Sequence, residues 1–209
     1  MFEAVIFDFG GVITESPFEA FNRMEARLGI SPNTVRRINA TNPDTNAWAL
    51  FERSEIGPDE FDRLFSEEAA ALGVRLSGRD VLSCLNGNVR PRMLEALKRI
   101  SGSLKTGCIT NNVKTAGPDH ASRDALVAEA FSIFGHVLES SRIGIRKPDP
   151  RIYQMMLEAL SVAPSRTIYL DDLGINLKPA KALGMTTIKV VNGDDAIAEL
   201  EGHLGMKLG

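Results

Sequence analysis

The chain has 209 residues, of which 44% are hydrophobic and 24% are charged, and its formal net charge is −3. These values are ordinary for a globular protein and exclude collagen-like and low-complexity chains. Because acidic residues outnumber basic ones, 27 against 24, there is no positive excess to bind a nucleic-acid backbone. The length predicts one domain, with or without a substantial insertion.

The sequence shows no sign of export or of membrane insertion. Residues 1–7 lack the basic stretch and the long apolar run of a signal peptide. No window approaches the ~20 apolar residues that a membrane span requires. The two cysteines, Cys84 and Cys108, do not form a CxxC pair, which favours free thiols in a reducing compartment. We therefore expect a cytoplasmic protein with no membrane partner.

The first predicted element is a strand at residues 4–7, and a long helical stretch follows it. Ser16-Pro17-Phe18-Glu19 matches a capping box with proline at the first helical position, so a helix should begin there and end at Gly29. A further helix is expected to begin at Pro58. Residues 16–88 are thus predicted to be a helical cap domain that is inserted after the first strand.

The rest of the chain alternates between strands and helices. Continuous apolar runs, which are typical of strands buried on both faces of a parallel sheet, return at residues 106–110, 136–138, 167–170 and 187–191. Helices are expected to begin at Pro91 and at Asp149-Pro150, each with apolar residues at helical spacing. This alternation predicts an α/β fold with a doubly wound (Rossmann-like) parallel sheet. Its core is assigned to residues 1–15 and 89–209.

Polar residues gather where the predicted strands end, which is where open α/β sheets bind their ligands. They form four groups: Asp8 with Gly10-Gly11, Thr110-Asn111-Asn112, Arg146-Lys147-Pro148, and Asp171-Asp172. An aspartate beside two glycines is suited to attack phosphorus in line. Several carboxylates together suit Mg²⁺, and hydroxyl, amide and ammonium groups suit phosphate oxygens. The four groups therefore point to phosphoryl transfer.

These four motifs, in this order, resemble those of the haloacid dehalogenase-like hydrolase superfamily, and the resemblance covers nearly the whole chain. Most such members are Mg²⁺-dependent phosphatases with a helical cap after the first strand. Two stretches narrow the likeness to the branch that contains the amino-terminal phosphatase domain of soluble epoxide hydrolase. They are the run LDDLGINLKPA at residues 170–180 and the segment from Trp48 to Phe61.

The resemblance implies a role for each motif residue near the metal. Asp8 would be the nucleophile, and it would bind Mg²⁺ together with Asp172 and the backbone carbonyl of Gly10. Asp171 and Asn176 would orient Lys147 or metal-bound water.

The resemblance also implies the contacts to substrate. Thr110 and Asn111 would bind the phosphate, and the amine of Lys147 would neutralise its charge. The expected substrate is a small phosphorylated metabolite, and the expected assembly is a monomer or homodimer.

Gly10 departs from the family pattern, which has a second aspartate two residues after the nucleophile. That aspartate protonates the leaving oxygen and then activates the hydrolytic water. Because such general acid–base help is typically worth ~10²–10⁴-fold, Gly10 predicts slow turnover of alkyl phosphates. Glu15, Glu52 and His120 are candidate replacement acids, and the sequence does not select among them.

Two other functions stay open at this point. A 2-haloacid dehalogenase would attack carbon without a metal, but the paired carboxylates Asp171-Asp172 would then repel each other to no purpose. A phosphate- or Mg²⁺-binding regulatory module without turnover is compatible with Gly10.

Overall fold

The structure is a computed structural model, and it describes residues 1–85, 87–113 and 125–209. Parallel strands form its centre: β1 (Ala4–Phe7), β2 (Lys105–Thr110), β3 (His136–Glu139), β4 (Thr167–Asp171) and β5 (Thr186–Lys189). They pair in the order β3-β2-β1-β4-β5. Each run that the sequence predicted as a strand corresponds to a strand of this sheet, but β5 ends at Lys189 and does not extend to residue 191 as predicted.

The central strand β1 explains why its sequence is continuously apolar. Its four side chains are completely buried, because layers of helices cover both faces of the sheet. Pairing places Phe7 beside Cys108 of β2 and beside Leu170 of β4. The residues that follow these three strands therefore meet at one edge of the sheet.

The chain between β1 and β2 is mainly helical. It contains α1 (Pro17–Leu28), α2 (Thr34–Ala40), α3 (Ala47–Glu52), α4 (Pro58–Ala71), α5 (Gly78–Leu82) and α6 (Pro91–Ser101). The apolar faces of α1 to α5 form a hydrophobic cluster of their own, whose largest members are Phe21, Phe51, Phe61 and Phe65. The predicted helical character of this stretch and the helix starts at Pro17, Pro58 and Pro91 are confirmed.

Thr14 and Val89 mark where the chain leaves the sheet for these helices and where it returns. The two residues form an antiparallel bridge. Beside this bridge, the N–H of Glu15 donates to the carbonyl of Asn88, and the N–H of Arg90 donates to that of Ile13, each at 2.8 Å. The helices α1 to α5 are thus attached through a short two-stranded connection.

The remaining helices cover the two faces of the sheet. They are α7 (Ala125–Ile133), α8 (Ser140–Ile143), α9 (Pro150–Leu160), α10 (Gly174–Ala182) and α11 (Gly193–Leu204). Phe7 of β1 belongs to the cluster with α6 and α11, whereas its neighbour Ile6 belongs to the cluster with α9 and α10. The fold is therefore the predicted α/β, doubly wound arrangement.

The predicted capping box at the start of α1 is wrong in one respect. The helix begins at Pro17 and ends at Gly29, whose φ is 67°, as expected. The hydroxyl of Ser16, however, makes no bond to the helix backbone and donates instead to Oδ2 of Asp172 at 3.1 Å. A carboxylate attracts this donor because a charge-assisted hydrogen bond is stronger than a neutral one.

The sequence predicts no membrane-spanning helix. None of the helices in the described part of the chain has the length and apolar character that crossing a bilayer requires.

Candidate active site

The predicted site residues meet at the carboxyl edge of the sheet. The chain runs from β1 to β2 and β3 on one side and then crosses to β4 on the other side of β1. Open α/β sheets bind ligands at this kind of reversal in strand order. Asp8 directly follows β1, Asp171 is the last residue of β4, and Asp172 directly follows β4.

The two glycines after Asp8 have different tasks. Gly11 has φ of 81°, and a Cβ built on it would lie 2.3 Å from Oδ2 of Asp172. Only glycine fits there, because it tolerates this φ and leaves room for the carboxylate. Gly10 has an ordinary φ of −71°, and a Cβ built on it meets nothing within 4 Å. A larger residue would therefore fit at position 10.

Three carboxylates and one ammonium form the centre of the site. Ligand atoms of Asp8, Asp171 and Asp172 all lie within 4.8 Å of one another. Nζ of Lys147 lies 2.7 Å from Oδ1 of Asp8 and 2.8 Å from Oδ2 of Asp171, and only 1% of the lysine side chain is exposed. When all three carboxylates are ionised, the cluster has a net negative charge, because the Lys147 ammonium supplies only one positive charge.

Asp171 is fully occupied by hydrogen-bond donors. Oδ2 accepts from Lys147 and from the hydroxyl of Tyr169, and Oδ1 accepts from the N–H of Leu173 at 2.8 Å. Nδ2 of Asn176 lies 3.1 Å from both oxygens. Since no part of Asp171 is exposed, its carboxylate is suited to hold Lys147 in place.

Asp8 differs because one of its oxygens is left available. The N–H of Phe9, at 2.6 Å, and the ammonium of Lys147 both contact Oδ1. Within the described ranges, no residue donates a hydrogen bond to Oδ2 of Asp8. This oxygen is available to bind a cation or to attack an electrophile.

Burial and mutual repulsion affect the protonation of the cluster. Burial raises the pKa of Asp8 above its usual value; Lys147 opposes this change and Asp171 adds to it. Burial and then the charge of Asp171 raise the pKa of Asp172 to about 6. Burial disfavours the charge on Lys147, but Asp171 and Asp8 outweigh it and raise the pKa of the ammonium. The site therefore favours a bound cation, because Lys147 supplies only one positive charge to three carboxylates.

Thr110 and Asn111 lie at the end of β2, on the same edge of the sheet. Thr110 is the last residue of the strand and is buried. The side chain of Asn111 binds the backbone of Lys147: its Oδ1 accepts from the N–H at 2.8 Å, and its Nδ2 donates to the carbonyl at 3.0 Å. With its side chain so engaged, Asn111 would contact a phosphate through its backbone N–H.

Sequence reasoning missed two tyrosines that support the site. Tyr169 donates to Asp171, and Tyr153 donates to the carbonyl of Asn176 at 2.7 Å. The two rings pack edge to face, with their centroids 5.4 Å apart. Tyr169 stands two residues before Asp171, and residues at this spacing lie on the same face of a strand. This spacing was the feature of the sequence from which the contact between Tyr169 and Asp171 could have been predicted.

The candidate replacement acids Glu15 and Glu52 have different surroundings in the structure. Glu15 is exposed, and its carboxylate accepts from Nδ2 of Asn88 at 3.2 Å. Glu52 is buried, and both of its oxygens accept hydrogen bonds from Trp48, Asn111 or Arg146. His120 lies outside the described residues.

Comparison with known proteins identifies the family. Residues 2–184 match the family model described as "haloacid dehalogenase-like hydrolase". The chain belongs to this family. Because the match includes β1, the helical segment and β4, it confirms the resemblance inferred from the four motifs, and the chain is a hydrolase of this class.

Curated relatives include two much longer proteins and a phosphatase. The chain is 36% identical over 213 residues to acyl-CoA dehydrogenase family member 10 of Mus musculus, and the match covers 99% of the chain and 20% of that protein. It is 39% identical over 118 residues to bifunctional epoxide hydrolase 2 of Sus scrofa, and this match covers 56% of the chain and 21% of that protein. The chain thus spans about a fifth of these relatives. A phosphatase of Mycobacterium tuberculosis is 34% identical over 193 residues, and this match covers 87% of the chain and 84% of the phosphatase.

A solved structure has the same fold. A haloacid dehalogenase family enzyme of Bacteroides thetaiotaomicron, crystallised with magnesium and inorganic phosphate, superposes with a TM-score of 0.59 at 20% identity. The alignment covers 90% of this chain and 94% of the other. At this identity the likeness establishes the shared fold.

Proposed function

We propose that the chain is a Mg²⁺-dependent phosphatase that hydrolyses a small phosphorylated metabolite through an aspartyl phosphate on Asp8. One observation carries the proposal: Oδ2 of Asp8 is available in a cluster of three carboxylates, two of which, those of Asp8 and Asp171, pair with the ammonium of Lys147. Family membership and the phosphatase among the relatives support the same reaction class.

The donor set of the site fits Mg²⁺. Asp8 and Asp172 and the backbone carbonyl of Gly10 would hold the ion, since hard cations prefer oxygen ligands. Asp171 is excluded as a ligand because its carboxylate already accepts bonds from Lys147, Tyr169, Leu173 and Asn176. When bound, Mg²⁺ would reduce the repulsion between the phosphate oxygens and the attacking carboxylate.

The chain's own residues account for the covalent steps. Oδ2 of Asp8 would bond to phosphorus while the ester P–O bond breaks, and the electron pair would leave with the alcohol oxygen. A water oxygen would then bond to the same phosphorus while the bond between phosphorus and Oδ2 of Asp8 breaks, which frees inorganic phosphate and restores the carboxylate of Asp8. The water would lose a proton to solvent, and the leaving alcohol oxygen would take one from solvent. Lys147 and Thr110 would stabilise the charge on the phosphate oxygens in both steps.

Gly10 restricts the substrates that react quickly. No acidic side chain stands at this position to protonate the leaving oxygen, so esters of weakly basic leaving groups should react best. Acyl and aryl phosphates are of this kind, whereas alkyl phosphates need the missing acid.

We also propose that residues 16–88 act as a cap that selects the substrate, with the core formed by residues 1–15 and 89–209. The separate hydrophobic cluster of α1 to α5 and the narrow connection at Thr14 and Val89 support this division. Ser16 and Glu52, which belong to the helical segment, both contact site residues of the core. A cap placed in this way would exclude bulk water from the reaction.

Turnover of an aryl phosphate, with and without Mg²⁺, tests the phosphatase proposal. Asp8→Asn should abolish the Mg²⁺-dependent rate, and acid quenching during turnover should trap one phosphoryl group on the wild-type chain only. Asp195→Asn is the matched control because Asp195 is exposed and lies in α11, which contains none of the motif residues. Equal rates for wild type and Asp8→Asn would refute the mechanism.

Gly10 also favours a second candidate, a module that binds phosphate and Mg²⁺ without turnover. A Gly10→Asp variant separates the two, because the open space around position 10 accepts a side chain. If only the acid is missing, this variant should hydrolyse alkyl phosphates faster than wild type, by up to ~10²-fold. A chain that binds a metal-fluoride phosphate mimic, and whose Gly10→Asp variant stays inactive, would be a module. Activity on a 2-haloacid that survives a chelator would instead indicate dehalogenation.

A further inference from the structure

Glu52 is an unusual residue because it is an acidic side chain of the helical segment that is almost completely buried. It is the last residue of α3, and 6% of it is exposed. Its Oε1 accepts from Nε1 of Trp48 at 2.8 Å, and its Oε2 accepts from Nε of Arg146 at 2.6 Å. A buried carboxylate is retained in a fold only when it is paired and hydrogen-bonded in this way.

The contacts of Glu52 reach three segments of the core. Its Oε2 also accepts from Nδ2 of Asn111, after β2, at 3.2 Å. Its backbone carbonyl accepts from the hydroxyl of Ser140, after β3, at 2.7 Å. Arg146 directly precedes Lys147. One residue of the helical segment thus contacts three segments that follow β2 and β3 or precede Lys147.

Two of these contacts act on Lys147. Asn111 binds both the N–H and the carbonyl of Lys147, at 2.8 and 3.0 Å, and Glu52 accepts from the same amide group of Asn111. The lysine ammonium in turn lies 2.7 Å from Asp8 and 2.8 Å from Asp171. A shift of this backbone would move the ammonium relative to the nucleophile.

We propose that Glu52 is a positioning residue for phosphoryl transfer: it fixes Asn111 and Arg146 and thereby sets the position of the Lys147 ammonium. This inference rests on the proposed function, since it concerns the charge that Lys147 supplies to the phosphate. It also assigns Glu52 a different task from that of a replacement acid. Both of its oxygens already accept hydrogen bonds, from Trp48, Asn111 and Arg146, so the side chain is suited to hold these partners in place.

The test is the kinetics of Glu52→Gln, which keeps the shape of the side chain and removes its charge. Misplacement of a catalytic group by about 1 Å costs ~10²-fold in rate, so kcat should fall ~10- to 100-fold while KM changes less than about threefold. Glu55→Gln is the matched control because Glu55 is exposed and pairs only with Arg53 among the described residues. Its kcat should stay within about twofold of wild type.

A second measurement reports on the contact itself. The N–H of Lys147 is held by Asn111, so hydrogen exchange at this amide should be at least about tenfold faster in Glu52→Gln and unchanged in Glu55→Gln. A purely structural role for Glu52 would lower the melting temperature without changing either the exchange at Lys147 or kcat at low temperature. If Glu52→Gln does not fold, Arg146→Lys is used instead, with the same expected directions.

The outcomes separate this inference from the proposed function. Wild type that shows no Asp8-dependent turnover would refute the phosphatase, and the exchange at Lys147 would then decide alone whether Glu52 holds this loop. Active wild type, together with a Glu52→Gln variant of unchanged kcat, would overturn the positioning role. A rise in KM alone would also overturn it, because it would show that Glu52 serves substrate binding.

Discussion

Replacement of Lys147 by methionine tests the electrostatic account of the site directly. The ammonium lies 2.7 Å from Asp8 and 2.8 Å from Asp171, and the lysine is almost fully buried. Lys147→Met preserves most of the apolar volume of the side chain and removes its charge together with its N–H donors. The two carboxylates would then remain buried without their counter-charge.

The size of the effect follows from these distances. At an effective dielectric constant of about 20, each contact has a Coulomb attraction of roughly 6 kcal/mol, and desolvation of the buried charges offsets much of it. Removal of one partner from a buried ion pair typically costs about 3–5 kcal/mol, because the other charge stays buried and unpaired. We therefore expect Lys147→Met to lower the free energy of unfolding by about 3–5 kcal/mol near neutral pH without Mg²⁺.

A lower pH should reduce the loss of stability in Lys147→Met. Burial raises the pKa of Asp8 above that of an unfolded chain, and in the variant no ammonium of Lys147 opposes the shift. The folded variant then binds more protons than the unfolded chain, so its stability rises as the pH falls through the folded pKa. The difference between variant and wild type should therefore be smaller near pH 5 than near pH 7.

Urea unfolding at both pH values measures this difference, with Lys98→Met as the matched control. Lys98 pairs with Glu129 at 2.6 Å, but both side chains are about 40% exposed, so this variant should unfold much like wild type. The account of the site would be refuted if Lys147→Met lost no more stability than Lys98→Met, or if its loss did not depend on pH.

Two further variants test the geometry around Asp172. Gly11→Ala should lower the melting temperature and abolish Mg²⁺-dependent turnover. The added Cβ would lie 2.3 Å from the Asp172 carboxylate, and the backbone at this position has a φ of 81°. Gly10→Ala is the control for both measurements, because its Cβ meets nothing within 4 Å. Ser16→Ala should raise the Mg²⁺ concentration needed for half-maximal turnover, about tenfold, since Asp172 loses the hydrogen bond that orients it. An unchanged Mg²⁺ requirement would show that the Ser16 hydroxyl does not orient Asp172.

The fold could be predicted from the sequence because local patterns determine most of it. The apolar run of β1 is continuous since both faces of the strand are covered, and Pro17, Pro58, Pro91 and Pro150 mark helix starts through the fixed φ of proline. The proximity of Asp8 to Asp171 also follows from topology, because parallel neighbouring strands end at the same edge.

The contacts that cross between distant segments could not be predicted in this way. Ser16 matches a helix cap in every local respect, yet its hydroxyl bonds to a residue 156 positions away. The sequence indicates Glu52 only as a possible acid, because its burial and its partner Arg146, 94 positions away, are properties of the folded chain. Local propensity describes what a side chain is able to do, and tertiary packing determines which partner it finds.

The adjacent residues Asp171 and Asp172 show how packing gives different tasks to chemically identical side chains. Asp171 ends β4 and faces the interior, where four donors saturate its carboxylate, so it is restricted to holding Lys147. The carboxylate of Asp172 lies where Gly11 leaves room for it, and the hydroxyl of Ser16 donates to one of its oxygens. Burial and then the charge of Asp171 raise the pKa of Asp172 to about 6, and a cation would relieve this unfavourable burial of charge. The availability of its carboxylate, rather than its position in the DD pair, is therefore the reason to propose Asp172 as a metal ligand.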